Sequence, residues 1–400
     1  MEKSKSELRE QSIRRVMKKT GWTYDFTVEQ IEDARKRLGV SYKEYLKHDL
    51  FSLSAEEQKQ KYEEVVLQMK HKAKEKQDRI IVRVMDATGW SYDVTNNKIK
   101  EAQERTGCTY TEYMLYKFYE LDEMEQAEVF TIYESKKITA KYNVDKKFVN
   151  VLYNKELSNN YFSEYLIRPW CVNTKISFEE FQKKFADSKR IFYKPCISHH
   201  GDGAKSFEIN NGNIKEVFSK LVSYPKGVVE QYICQHSKMN ALAPSAVNTV
   251  RVVSISSNTQ PVMPGGTNID IPYVSLKMGG GANSVVDNLA GGGLVAAVDL
   301  KTGKLITDAV DEEGNVYSRH PATGMIIKGF DIPFFAETLK LVLDAYEKKR
   351  FEGYLGWDIA ITEDGPEVVE VNTVPGVILF QLPYVAEKKG MKHVMVKYLS

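Results

Sequence analysis

Residues 353–376, GYLGWDIAITEDGPEVVEVNTVPG, constrain the fold more than any other stretch of the chain. Ile359, Ala360 and Ile361 form one apolar run and Val368, Val369 and Val371 form another, separated by Glu363-Asp364-Gly365-Pro366. The pattern predicts two strands of a hairpin with turn chemistry between them. Three polar residues, Asp358, Glu370 and Asn372, interrupt strands that otherwise read as buried. Side chains alternate along a strand, so Glu370 and Asn372 share a face. Folding at 363–366 brings Asp358 towards that face. Acids inside apolar runs need a partner to offset desolvation. Two carboxylates and an amide oxygen suit Mg2+, with phosphate oxygens and water completing its octahedron. A surface hairpin whose acids meet water is the alternative.

The pattern D-I-A-I-x-x-D-G-P-x-V-x-E-V-N-x-x-P-G resembles the metal-binding end of ATP-grasp enzymes. The step of twelve from Asp358 to Glu370, the Glu-x-Asn step, the lead-in Gly356-Trp357 and the exit Pro375-Gly376 all fit. The resemblance implies an α+β chain with an ATP-grasp fold, in which two α/β subdomains grip ATP. Asp358, Glu370 and Asn372 would then hold one or two Mg2+ ions, for which Mn2+ can substitute.

Other stretches follow the same order. Lys155, in the helical stretch NKELSNNYFSEYLIRPW, is the candidate early lysine, with Lys146 and Lys147 as competitors. Ile191–Pro195 reads as a strand with Lys194 near its end, followed by Ser198-His199-His200-Gly201-Asp202-Gly203. A lysine at a strand end can point into a cleft, and a glycine loop lets backbone N–H groups approach phosphate. A plain hairpin turn would explain the glycines equally well. The resemblance places Lys155, Lys194, Ser198, His200, Gly201 and Gly203 around the phosphates. It makes Val228–Ile233 the hinge, with Glu230, Gln231, Tyr232 and Ile233 around the adenine and Glu230 beside its amino group.

Pro244-Ser245-x-x-Asn248-Thr249-x-Arg251, the glycine-rich LKMGGGANSVVDNLAGGGLVAAVDLKTGKL and His320-Pro321-x-x-Gly324 resemble one subgroup. This is the sugar-transfer-associated ATP-grasp proteins, related to alpha-L-glutamate ligases. Arg251 alternates with valines and can leave one strand face, to stabilise a transferring phosphoryl group or to form a structural salt bridge. Lys277 and Asn288 would face the triphosphate or acceptor. His320 would orient an acceptor or act as a base, unless it is structural.

The N-terminal third is a repeat. Residues 15–45 recur as 83–113, displaced by 68: Thr20-Gly21-Trp22 returns as Thr88-Gly89-Trp90, Tyr24-Asp25 as Tyr92-Asp93, and Glu44-Tyr45 as Glu112-Tyr113. Three helices are expected in each copy, the first ending at its Thr-Gly pair, and a long helix from Ala55 to Asp78 joining the copies. The expected organisation is an all-α domain at 1–140 with two tandem repeats (about 13–53 and 81–121). A small subdomain with the Gly-rich loop and hinge follows at 141–235, and a large subdomain with the metal site at 236–400. Trp22 and Trp90 are either core residues or part of a surface for an acceptor substrate or a peptide, protein or glycan partner. The tail at 385–400 shows no chemistry of its own.

A net charge of +2 gives no reason to expect nucleic acid. No run of eighteen apolar residues is present, so no membrane span is expected. The polar start MEKSKSELREQ does not read as a signal peptide. Cys108, Cys171, Cys196 and Cys234 are scattered without zinc spacing, which fits free thiols in a reducing cytoplasm. The resemblance implies a carboxylate–amine ligase: ATP activates a carboxylate as an acyl phosphate, an amine captures it, and ADP and phosphate leave. A kinase using the same residues and a non-catalytic nucleotide-binding scaffold are the alternatives.

Overall fold

The computed structural model describes residues 5–197, 203–258, 268–281 and 286–399. The chain forms two compact units, divided between Thr95 and Asn96.

The first unit is helical, with helices Lys5–Thr20, Tyr24–Leu38, Tyr42–Lys47 and Ala55–Thr88. Gly21 and Gly89 follow helix ends in left-handed conformation, the role expected of the repeated Thr-Gly pair, and Gly39 does the same after Leu38. Ser41 and Ser54 each close a capping box, with Glu44 and Glu57. The last helix runs 34 residues without a break, about 50 Å at the usual rise. The joining helix and the first helix of the second copy are therefore one element. Ile13, Val16, Ile31, Ala34, Tyr45 and Leu50 form the core. Gln58 closes it by donating to the carbonyls of Leu50 and Leu53 and accepting from Arg37.

In the second unit the same fastening recurs, 68 residues on: Gln126 donates to Phe118 and Leu121 and accepts from Arg105. Thr109 and Glu112 repeat the capping box. The helix Ile132–Tyr142 that follows packs with the C-terminal segment. Phe130, Ile138 and Tyr142 share a cluster with Phe380, Tyr384, Met391, Met395 and Tyr398. The Phe130 N–H donates to the Gln381 side chain and the Lys392 N–H to the Glu128 carbonyl. Residues around 128–142 thus pack with residues far along the chain, and the tail serves the fold by covering one face of a sheet.

Two antiparallel sheets follow. The smaller holds β1 (Trp170–Val172), β2 (Arg190–Pro195), β3 (Lys205–Glu208) and β4 (Gly227–Gln231), in the order β1-β4-β2-β3. Helices Phe178–Lys184 and Ile214–Ser223 supply Phe181, Ile214, Val217 and Leu221 to its core. The larger holds β5 (Thr249–Ser256), β6 (Ile269–Met278), β7 (Leu294–Val298), β8 (Ala309–Val310), β9 (Val316–Tyr317), β10 (Gly353–Thr362) and β11 (Gly365–Asn372). Their order is β11-β10-β5-β6-β7-β8-β9.

Each face of the larger sheet has its own cluster, as period-two alternation requires. Val250, Val252, Leu355, Trp357 and Ile359 pack with Val342, Ala345 and Tyr346 of helix Phe335–Lys349. Val253, Ile255, Tyr273 and Tyr354 face the tail and the Ile132–Tyr142 helix. At one end, this second face turns from apolar to polar. No helix among the described residues is long and apolar enough to cross a membrane.

Candidate functional site: a buried charge cluster on the central strands

The polar end of that face is set by register. Asp358 on β10 lies opposite Arg251 on β5 and Glu370 on β11; Arg251 lies opposite Ser275, and Thr249 opposite Lys277, on β6. Asn372 lies opposite Gly356. Directly opposed residues point the same way, so Arg251, Lys277, Asp358, Glu370 and Asn372 share one face. A bulge at Asp358/Ile359 matters here, because beyond it Ile359 pairs with Val368. The irregularity lets β11 turn Val368 and Val371 into the core while Glu370 and Asn372 face the charges.

Asp358 is the centre of the cluster. Its Oδ1 accepts from Arg251 Nε at 2.7 Å, its Oδ2 from Arg251 Nη2 at 2.9 Å, and Lys277 Nζ stands 3.2 Å from Oδ1. Asn372 Nδ2 adds a contact to Oδ2 at 3.3 Å. Burial pushes the Asp358 carboxyl up, but the charges of Arg251 and Lys277 outweigh it and hold it at about 2. Arg251 also donates to the carbonyl of Pro375, fixing the hairpin's exit. Gly356 leaves room for this arginine: a Cβ there would lie 3.2 Å from its Cδ and 2.9 Å from the Pro375 Cα.

Glu370 differs from Asp358 in being half exposed, with Lys155 Nζ 4.0 Å away. Lys155 begins the helix Lys155–Tyr161. Burial lowers its pKa, Glu370 opposes that, and nearby Lys194 adds to the lowering. Of the competitors, Lys146 is engaged at the carbonyl of Asn143.

Lys194 near the end of β2 meets Glu230 on β4 at 2.8 Å. The Glu230 carboxylate is buried and also accepts from Asn159 at 2.9 Å and Arg168 at 3.3 Å. Burial raises its pKa, but Arg168 and Lys194 more than reverse this and hold it well below the usual carboxylate range. The expectation that Glu230 sits beside an adenine amino group therefore needs correction. Its side chain is committed to three donors, and its backbone lies within the sheet, opposite Trp170 on one side and Phe192 on the other. Gln231 and Tyr232 donate their N–H groups to Pro169 and Arg190. The Ile233 side chain is buried at the strand's end.

Ser198, His200 and Gly201 lie outside the described residues. Gly203, just beyond, has a φ of 75°, which favours glycine.

The glycine-rich stretch is docked on the same centre. Thr249 donates its N–H and hydroxyl to Asp287, and Lys277 Nζ lies 3.4 Å from Asp287 and 3.3 Å from the Asn288 side-chain oxygen. A Cβ on Gly280 would fall 1.9 Å from the Gly292 carbonyl oxygen, so the two ends of the stretch touch through backbone. Asn248 donates to Gln235, Met239 and Ala243 and accepts from the Gly279 N–H. The N-T-x-R motif thus has a physical content: three buried side chains, Asn248 just before β5 and Thr249 and Arg251 on it, each hold a different wall.

His320 is held by backbone at both ring nitrogens. It is fully buried, its Nε2 meets the Gly279 carbonyl at 2.6 Å, and its Nδ1 accepts from the Ala322 N–H at 3.3 Å. A carbonyl oxygen only accepts, so Nε2 carries the hydrogen. Both nitrogens are spent on backbone, and the residue is a strut under the glycine-rich stretch. Arg168, Asn159 and Asn248 were not singled out by sequence. Only the last lay within a recognised motif.

Residues 200–397 match the family model described as sugar-transfer associated ATP-grasp. The resemblance read from the sequence holds over that stretch. No curated protein matches the chain. Among solved structures, the ADP complex of an N5-carboxyaminoimidazole ribonucleotide synthetase is 10% identical, with a TM-score of 0.34 over 57% of this chain and 46% of that one. The D-alanyl-alanine synthetase A of Vibrio cholerae is 15% identical, with a TM-score of 0.34 over 62% and 63%. The ATP-grasp ligase PsnB, complexed with a precursor peptide and AMPPNP, is 12% identical, with a TM-score of 0.33 over 64% and 61%. The chain spans less than two thirds of each of these proteins. No functional weight rests on likenesses this distant.

Proposed function

We propose that this chain, ATP-grasp over residues 200–397, is an ATP- and Mg2+-dependent carboxylate–amine ligase. The observation that carries the reading is the convergence of Asp358, Glu370, Asn372, Arg251 and Lys277 on one sheet face. Lys155 stands within reach of Glu370.

The donor set fits a hard cation. Asp358 already receives two bonds on each oxygen, and one of the four comes from the Asn372 amide. Turning that amide over would present its oxygen and free a lone pair on Asp358. Glu370, half exposed, supplies the second carboxylate. Bound Mg2+ would draw charge from phosphate oxygens and orient them. Lys155 and Lys194 would neutralise phosphate, and the hinge at Gln231–Ile233 would meet an adenine edge through backbone groups other than the Gln231 and Tyr232 N–H, which already donate to Pro169 and Arg190. Arg251, locked onto Asp358 and the Pro375 carbonyl, would present a fixed positive charge to a reacting carboxyl or phosphoryl oxygen without reorganising. A carboxylate resists direct attack by an amine at neutral pH, and activation as an acyl phosphate removes that obstacle. The acceptor is proposed to be a peptide or glycan precursor; the family's description, sugar-transfer associated, supports the sugar association alone.

The test is product analysis with Mg2+-ATP, pooled carboxylates and amines, and hydroxylamine as a trap. ADP, phosphate and a hydroxamate are expected. A phosphorylated acceptor without hydroxamate would make the chain a kinase, and AMP would contradict the proposed chemistry.

A further inference from the structure

Arg168 lies between the two sheets and takes no part in the proposed chemistry. Its guanidinium is almost wholly buried, as is Glu230. Nε meets Glu230 Oε2 at 3.3 Å, and Nη1 donates to Glu367 Oε2 and to the Val368 carbonyl, both at 2.8 Å. Glu367 also accepts from the backbone N–H groups of Ile167 and Arg168. The remaining nitrogen, Nη2, is buried and donates to nothing among the described residues. A buried charged donor left idle costs free energy, so its presence calls for a reason.

The reason lies in what Glu230 does with its other partner. Glu230 Oε2 is shared between Arg168 Nε and Lys194 Nζ, while Oε1 is held by Asn159. Lys194 is placed to neutralise a nucleotide phosphate. A phosphate that takes Lys194 removes one of the two cations from a buried carboxylate, which is strongly unfavourable without a replacement. Nε and Nη2 form one edge of the guanidinium, spaced to receive a carboxylate with two parallel bonds. In this structure only Nε is used towards Glu230.

We propose that Arg168 is a positioning residue for the nucleotide phosphates: its idle Nη2 takes over Glu230 when phosphate takes Lys194. The exchange conserves charge-assisted hydrogen bonds, because Lys194 trades a carboxylate for a phosphate and Glu230 trades an ammonium for a second guanidinium bond. The same guanidinium stays anchored on β11, the strand that carries Glu370 and Asn372. The small sheet's lysine is thereby coupled to the large sheet's metal hairpin. A lysine at 168 could not do this, having one ammonium to share among Glu230, Glu367 and the Val368 carbonyl.

The proposal rests on the nucleotide reading above, and its test separates the two. Isothermal titration of wild type, Arg168→Lys, Glu230→Gln and the double variant with Mg2+-ATP and with adenosine gives an ATP-to-adenosine affinity ratio for each. Adenosine lacks phosphate, so a general structural defect moves both ligands together and leaves the ratio alone. Arg168→Lys is expected to lower the ratio about tenfold, the scale of one charge-assisted hydrogen bond. With Glu230→Gln present, Lys194 is no longer held by a carboxylate, and adding Arg168→Lys should leave the ratio unchanged. An unaltered ratio in Arg168→Lys, or a full tenfold loss that persists with Glu230→Gln, overturns the proposal alone. If Arg168→Lys does not fold, Glu230→Gln by itself must raise the ratio, and an equal or lower ratio overturns the proposal. Failure of the wild type to bind ATP overturns the nucleotide reading and this proposal with it.

Discussion

Replacing Asp358 by asparagine keeps the side chain's size and removes the charge at the centre of the cluster. Asp358 is buried, and its carboxyl is held at about 2. An unfolded aspartate titrates near 3.9, so the folded state favours the ionised form by roughly 2–3 kcal/mol at neutral pH. The sign follows from a depressed folded pKa. The stabilisation is complete above the unfolded pKa and is lost as pH falls through the folded one. Asp358→Asn also leaves Arg251 buried without its carboxylate, while Lys277 keeps Asp287. The expected loss at pH 7 is about 3 kcal/mol. By pH 3 the gap between wild type and variant should have narrowed by about 1 kcal/mol, as the unfolded wild type takes up its proton. Urea titrations followed by tryptophan fluorescence would report it. Trp357 is fully buried one residue away and donates to Ser254, so its emission follows this strand. A variant as stable as wild type at pH 7, or a gap that stays constant from pH 7 to 3, would refute the electrostatic account.

Two further outcomes are expected. His320→Gln, which can still donate to the Gly279 carbonyl, should lower turnover by less than the ~100-fold that removal of a general base brings; a larger fall without loss of folding would restore a chemical role for His320. Gly280→Ala drives a methyl group into the Gly292 carbonyl and should cost about 1–3 kcal/mol in denaturant titrations, with turnover falling as the stretch shifts off Lys277; wild-type stability would mean that the contact can relax freely.

The β10–β11 hairpin and its polar face were legible because acids inside apolar runs are rare and expensive, and because strand parity places Glu370 and Asn372 together. The bulge beside Asp358 was not legible, since an unpaired residue leaves no mark in a run of valines. The 68-residue repeat was visible as identities, and the structure extends it to Gln58 and Gln126, whose role depends on carbonyls brought near by folding. Glu230 misled because its carboxylate is claimed by Arg168 and Asn159, one 62 and the other 71 residues away in sequence. His320 misled for the related reason that a lone histidine in a polar motif looks the same whether its nitrogens face a cleft or the backbone. The packing of residues 128–142 against the tail joins stretches some 250 residues apart, which no local pattern reports.

The central claim is that the β10–β11 hairpin holds the metal of a bound nucleotide. Electron paramagnetic resonance of Mn2+ tests it directly, because the free ion's signal falls when it is bound. With ADP present, wild type should take up Mn2+ beyond what the nucleotide alone retains. Glu370→Gln, which removes one carboxylate charge and almost no volume, should lose that excess while keeping its fold. Equal Mn2+ uptake by wild type and Glu370→Gln would contradict the assignment.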